Sequence, residues 1–107
     1  MNSLEMALKR PFPEGKIRWR KGGGGAELAY ITARDVMDRL DDVVGVANWQ
    51  TKYNWIGDRM ICELSVNIDG TWITKSDGAD DSNIEGAKGG ISDALKRAAV
   101  LFGIARY

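Results

Sequence analysis

Residues 49–76 read WQTKYNWIGDRMICELSVNIDGTWITKS, and the alternation in this stretch decides the fold. Trp49, Thr51, Tyr53 and Trp55 alternate with Gln50, Lys52 and Asn54, and after Gly57-Asp58 the residues Met60, Cys62, Leu64, Val66 and Ile68 alternate again. Period two is the strand signature, because successive side chains leave opposite faces of an extended chain. Gly57-Asp58 and Asp69-Gly70 are two-residue turns, the second favouring positive φ at both central positions. Loops this short fix register, so Trp55 should oppose Met60 and Val66 should oppose Ile73. Both hairpins then put Trp49, Tyr53, Trp55, Met60, Cys62, Leu64, Val66, Ile68 and Ile73 on one face. The spacing predicts an antiparallel meander with strands at about 49–56, 60–68 and 71–76. The opposite face offers Lys52, Asn54, Glu63, Ser65, Asn67 and Thr74, with Ile61 and Trp72. That pair reads either as residues partly covered by their neighbours or as a subunit contact.

The apolar face needs a cover, and the C-terminal end supplies a matching stripe. Ile84, Ala87, Ile91, Ala94, Leu95, Ala98, Leu101 and Phe102 recur at three and four residues, the period of one helical face. Ser82 and Glu85 have capping-box spacing, and Gly103 supplies a stop, which predicts a helix over about 83–102. Its other face carries Gly86, Gly89, Asp93 and Lys96, with Arg97 on the flank. Two adjacent cations are most simply a solvated helix face. Gly86, Gly89 and Gly90 sharpen the question, since each helical glycine costs roughly 1 kcal/mol against alanine. Close approach by another backbone, from a neighbouring subunit or a nucleic acid strand, would compensate.

Towards the N-terminus, Leu4, Met6, Ala7 and Leu8 suit a short helix ending before Pro11. Lys16–Arg20 alternates, with Ile17 and Trp19 pointing one way and Lys16, Arg18 and Arg20 the other. With Glu27–Ile31 it predicts an N-terminal β-hairpin at about 16–31, joined by Gly22–Gly25. The glycine run is no P-loop, because no Gly-Lys-Ser/Thr follows it. Arg18, Arg20 and Lys21 nevertheless stand beside unshielded backbone N–H groups that could grip an anionic backbone. Thr32 and Asp35 form a second capping-type start, Val36, Leu40 and Val43 repeat at helical spacing, and Gly45 stops that helix at about 33–44. Asp38, Asp41 and Asp42 on it read as a solvated acidic face. The fold class is therefore α+β: a meander covered by a long C-terminal helix, with a hairpin and a helix before it, in one domain over 1–107.

The 107 residues are 44% apolar and formally neutral, but the neutrality hides a polarity along the chain. Lys9, Arg10, Lys16, Arg18, Arg20 and Lys21 outweigh Glu5 and Glu14, while the middle of the chain is acidic; Lys96, Arg97 and Arg106 close it with three cations. If the fold joins the two ends, a basic stripe exists despite zero net charge. There is no histidine, which removes most triads and catalytic zinc sites. Asp77, Asp80 and Asp81 lack the spacing of a calcium loop and read as the loop before Ser82. Cys62, the one cysteine, falls on an inward position and fits a reducing, cytoplasmic setting. No apolar run approaches the roughly 18 residues of a membrane span. No catalytic residue, metal ligand or cofactor motif is identified, so the expectation is a binding protein and not an enzyme.

The run EGAKGGISDALKRAAVLFGIARY closely resembles the closing helix of the Rad fifty-two / Rad twenty-two family of single-strand annealing proteins, particularly its phage and bacterial members. RWRKGGGGAELAYI, from Arg18 to Ile31, is similar to the family's basic strand, glycine-rich turn and tyrosine-containing strand. The resemblance implies a β-β-β-α core assembled into a ring or helical homo-oligomer, with single-stranded DNA held by its phosphates in a basic groove. It implies annealing of complementary strands in recombination and DNA repair, without ATP, in the cytoplasm of a bacterial or phage-infected cell. A single-strand binding protein or an exonuclease would be a natural further partner. By residue, Arg20 matches the groove arginine before the glycine turn, Tyr30 the tyrosine ten positions on, and Lys96 and Arg97 the paired cations of the closing helix. A further basic position of many members falls at Val100, and a lysine some use for an outer DNA site falls at Ile68; both departures count against a second DNA-binding surface. Relatives usually continue beyond Tyr107, where elements for assembly or partner binding would lie. Two readings from other classes are a double-stranded RNA-binding module, whose order is also helix, three strands and helix, and a non-catalytic oligomeric scaffold.

Overall fold

The structure, a computed structural model, describes residues 3–21, 27–79 and 86–105. Its elements are α1 (Ser3–Lys9), β1 (Arg18–Lys21), β2 (Glu27–Tyr30), α2 (Ala33–Val44), β3 (Trp49–Ile56), β4 (Arg59–Ile68), β5 (Thr71–Ala79) and α3 (Gly86–Val100). β1 and β2 form a hairpin of their own, and β3, β4 and β5 form a three-stranded antiparallel sheet in that order.

Both short turns set the register their residues demand. Trp55 pairs with Met60 and Val66 with Ile73. Asp69 and Gly70 both take positive φ, 53° and 87°, whereas in the first turn Gly57 does so at 62°. Those are the backbone twists that match the right-handed twist of the flanking strands. Cys62, Leu64 and Val66 consequently share one face and are fully buried. α3 lies over β4 and β5 and seals them with Ala94, Leu95, Ala98 and Ala99, all buried. Because the cover is centred there, the tip and margin of the same face remain open: Trp55 is 50% exposed and Ile73 36%. On the opposite face Ile61 pairs with Gly78 and Trp72 with Asn67, at opposite ends of the sheet, so they do not form one patch.

A β-carbon at Gly90 would meet Met60 Cβ of β4 at 3.5 Å, an ordinary van der Waals separation, so packing within the chain does not itself require glycine there. The proposed Ser82 cap and Glu85 lie outside the described residues. At the other end α3 closes in a Schellman arrangement: Gly103 N–H donates to Val100 O (2.9 Å), Ile104 N–H donates to Ala99 O (3.1 Å), and Gly103 takes φ 94°. Ile104 is thereby buried completely. A side chain at 103 would also collide with the Lys9 stem, its β-carbon falling 2.6 Å from Lys9 Cγ. Lys75 Nζ reaches Leu101 O at 3.0 Å and lies 5.1 Å from the Phe102 ring centroid, a cation at the negative end of the helix dipole.

Four boundaries among the described residues differ from the sequence expectation, the first being that α3 ends at Val100 and not at 102, its last turn giving way to the Gly103 stop. Pro13 starts a short 3-10 turn over Glu14–Lys16, so β1 begins at Arg18 and not at 16. Ile31 leaves the strand and is buried as a core residue. β5 runs on through Asp77, Gly78 and Ala79, because Gly78 leaves room for the Ile61 side chain across the ladder and its carbonyl accepts from Arg59 Nη2 at 3.1 Å. Asp77 is thus a strand residue, whereas Asp80 and Asp81 lie outside the described residues.

α2 has the capping box its sequence announces: Asp35 N–H donates to Thr32 Oγ1, and Thr32 N–H donates to Asp35 Oδ2. Gly45, at φ 96°, ends it with an N–H to Asp41 O bond. Asp41 is not merely solvated, since it accepts the Trp49 indole N–H at 2.7 Å and so ties α2 to β3. The decisive contact of α2 is Arg39, buried among three carbonyls. Its Nη1 donates to Leu8 O (2.9 Å), Arg10 O (2.7 Å) and, at the limit, Ala7 O (3.5 Å), while its guanidinium stacks 4.0 Å from the Phe12 ring centroid. A charge that satisfies the orphan carbonyls at the end of α1 locks that helix to α2.

Two measurements check this account. Arg39→Met leaves those carbonyls without their charged donor and should lower the urea unfolding free energy by about 2–4 kcal/mol, while Asp42→Asn on the exposed side stays within about 0.5 kcal/mol. Burial raises the Cys62 thiol to about 11, a hydrogen bond with Tyr53 opposing the rise, and burial also raises Tyr53 above its usual 10.0. The folded state therefore keeps protons that the unfolded chain releases. Stability should hold up to about pH 9 and fall as pH rises towards 11, and Cys62→Ala should flatten much of that slope.

Candidate nucleic-acid interface

β1 begins with the sequence RWRK, and in a strand its alternate residues share a face. Arg18 pairs directly with Tyr30 across the hairpin, and Arg20 pairs with Leu28, so Arg18, Arg20 and Tyr30 stand on one side of the two-stranded sheet. The Arg20 guanidinium lies 5.6 Å from the Tyr30 ring centroid. Arg18 and Arg20 are both exposed.

The second contribution comes from α3. Burying Leu95 and Ala98 against the sheet turns Lys96 away from it and towards the hairpin. There the Lys96 ammonium lies 5.8 Å from the same Tyr30 centroid. One aromatic ring is therefore shared by a cation from each end of the chain. Contacts of this kind contribute roughly 0.5–1 kcal/mol each at exposed sites, and the negative π-face of the ring offsets part of the repulsion between cations gathered around it. Lys96 also meets Asp93 Oδ1 at 3.6 Å, one turn earlier on the helix. Arg97 is exposed, at the next step of roughly 100° around the helix.

Of the six residues singled out in the sequence, the fold brings Arg20, Tyr30 and Lys96 together, sets Arg18 in register beside them and leaves Arg97 exposed on the adjoining helix surface. Lys21 pairs with Glu27 at the end of the hairpin, but its side chain, like the glycines at 22–25, lies outside the described residues. Sequence reasoning passed over Asp93 as the partner of Lys96. The i, i+3 spacing of opposite charges was the available signal. It also passed over the apolar wall beside Tyr30, built from Ile31, Val36, Val100 and Ala105, which only the packing of three elements creates. Among the described residues no group of three or more Cys, Asp or Glu is placed to hold a metal ion, and no helix is long and apolar enough to cross a membrane.

Comparison with known proteins bears on this arrangement. The single-stranded DNA-binding protein DdrA of Deinococcus radiodurans is 30% identical over 115 aligned positions, which cover 100% of this chain and 55% of that protein. The protein of the same name from Deinococcus deserti is also 30% identical over 115 positions, covering 100% of this chain and 57% of the relative. The chain thus spans about half the length of the curated relatives it matches. The family described as Rad52/22 family double-strand break repair protein matches across residues 1–107. The cationic hairpin, its tyrosine and the closing helix are those of a chain that belongs to the Rad52/22 family of double-strand break repair proteins.

Proposed function

We propose that this chain binds single-stranded DNA through its phosphates, assembles as a homo-oligomer, and anneals complementary strands without ATP. The observation that carries the reading is the meeting of Arg20 and Lys96, remote in sequence, over one Tyr30 ring, with Arg18 and Arg97 exposed beside them. A formally neutral chain gains local cationic density in this way, and a track of cations binds any sequence, because phosphates are the same in all of them. The names of the Deinococcus relatives, single-stranded DNA-binding proteins, agree with this. Holding the backbone leaves bases largely free to pair, and pairing supplies its own drive, about 1.4 kcal/mol per stacked step. No catalytic group is needed for that scheme. In a longer protein the remaining half would add assembly or partner contacts.

Fluorescence anisotropy with a labelled single strand tests the groove. Lys96→Ala/Arg97→Ala and, separately, Arg20→Ala should each weaken binding about tenfold or more at physiological salt. Each should also flatten the slope of log K against log salt by about 0.7 per lost phosphate contact. A correctly folded double variant with native affinity would remove Lys96 and Arg97 from the interface. Duplex RNA added as competitor should displace the strand poorly; equal competition would favour the RNA-binding reading that the α2-β3-β4-β5-α3 order also allows. Complementary oligonucleotides should anneal faster with the protein than without it in nucleotide-free buffer, and an unchanged rate would reduce the activity to binding.

A further inference from the structure

The cationic face does not account for a cleft of about 170 Å³ that opens beside Tyr30 between β2, α2 and α3. Its walls are Tyr30, Ile31, Val36, Val100 and Ala105, with Ala29 at the edge and Lys96 contributing the one charged group among the described residues of the lining. The size has a direct physical gauge, since an apolar cavity of about 150 Å³ accepts one benzene ring. The chemistry is that of a flat, uncharged ring bound next to an anion. Aliphatic walls and the Tyr30 side chain would cover the ring, and Lys96, whose ammonium lies 5.8 Å from the Tyr30 centroid, would meet the charge. An anionic side chain or a second phosphate meets no further cation among the described residues of the lining. A lone aliphatic side chain would make no use of Lys96.

We infer that the cleft receives one nucleobase, of pyrimidine size, from the strand whose phosphates rest on Arg20 and Lys96. The inference rests on the DNA-binding reading above and sharpens it. Most bases of the bound strand stay available, but one is withdrawn at this point and must leave the cleft before it can pair. Binding then has a base-dependent part added to the phosphate part. Position 100 matters for this reason: a hydrocarbon there completes the apolar wall, where a long cation would occupy the space.

The test compares, on the native chain, a short labelled oligo-thymidylate with a strand of equal length made of abasic sites, which keeps the phosphates and removes the bases. The expected result is tighter binding of the thymidylate by at least about fivefold, the lower end of what one covered base supplies. Oligo-adenylate should fall between the two, its fused ring fitting the cleft less well. Val100→Phe fills the cleft and should abolish the difference between thymidylate and abasic strands while leaving abasic-strand affinity unchanged. Equal affinity of the native chain for both strands overturns the inference while leaving phosphate binding in place. A folded Val100→Phe variant that keeps the preference overturns it too, as does one that changes only the oligomeric mass, which would give the cleft to a second copy of the chain. If neither strand binds, the DNA-binding reading fails and takes this one with it. Should Val100→Phe not fold, the native-chain comparison still decides.

Discussion

The burial of a small-residue helix stripe on one alternating strand is the contact on which the rest of this molecule depends. Cys62, Leu64 and Val66 project to one side of β4, and Ala94 and Ala98 on α3 are small enough to let the helix lie close against them. A larger residue at either alanine would lift the helix and open a gap, and interiors packed to crystal-like density do not absorb such changes freely. Once that face is committed, the helical period leaves little choice about where Lys96 points. The position of the cation is therefore a consequence of core packing and not of any attraction to Tyr30. The ring contact refines an orientation that the hydrophobic effect has already chosen.

The other half of the arrangement is held by polar contacts that are few and specific. Arg39 binds the end of α1 to α2, the Thr32–Asp35 box starts α2 immediately after β2, and the Trp49–Asp41 bond carries α2 onto the sheet. Since β2 runs into α2 through Ile31 and Thr32 alone, whatever fixes α2 also fixes the hairpin. Among the described residues the hairpin does not join the main sheet through strand pairing. Its placement over α3 thus rests on side chains, above all Ile31 buried in the core and Tyr30 beside Lys96.

Much of this could be read from residue order. Period-two alternation and two short turns gave the meander with its register, because both signals are local and agree with each other. The helix stops at Gly45 and Gly103 were legible for the same reason: positive φ is a property of one residue. The convergence of the chain's two basic ends was legible only as a family resemblance, since nothing local brings Arg20 towards Lys96. Where reading failed, tertiary context had changed a residue's meaning. Arg39 looks like any polar position on an amphipathic helix until α1 is placed beside it. Asp77-Gly78 has the composition of a loop, yet an Ile61 side chain needing space makes glycine suitable for a strand. Trp55 fits the inward pattern but sits beyond the reach of the covering helix, so pattern gave its face and not its burial.

The carboxylate of Asp93, 3.6 Å from the Lys96 ammonium, gives the cationic face a resident counterion. Like charges crowded around one ring would repel each other in the free molecule, and an acidic neighbour eases that tension. An incoming anion then does not meet a naked ammonium; it has to exchange places with a tethered one. Exchange of this sort trims the net gain from the contact. It also favours ligands offering several anions in a row, because a single ion competes poorly with a carboxylate that can never diffuse away.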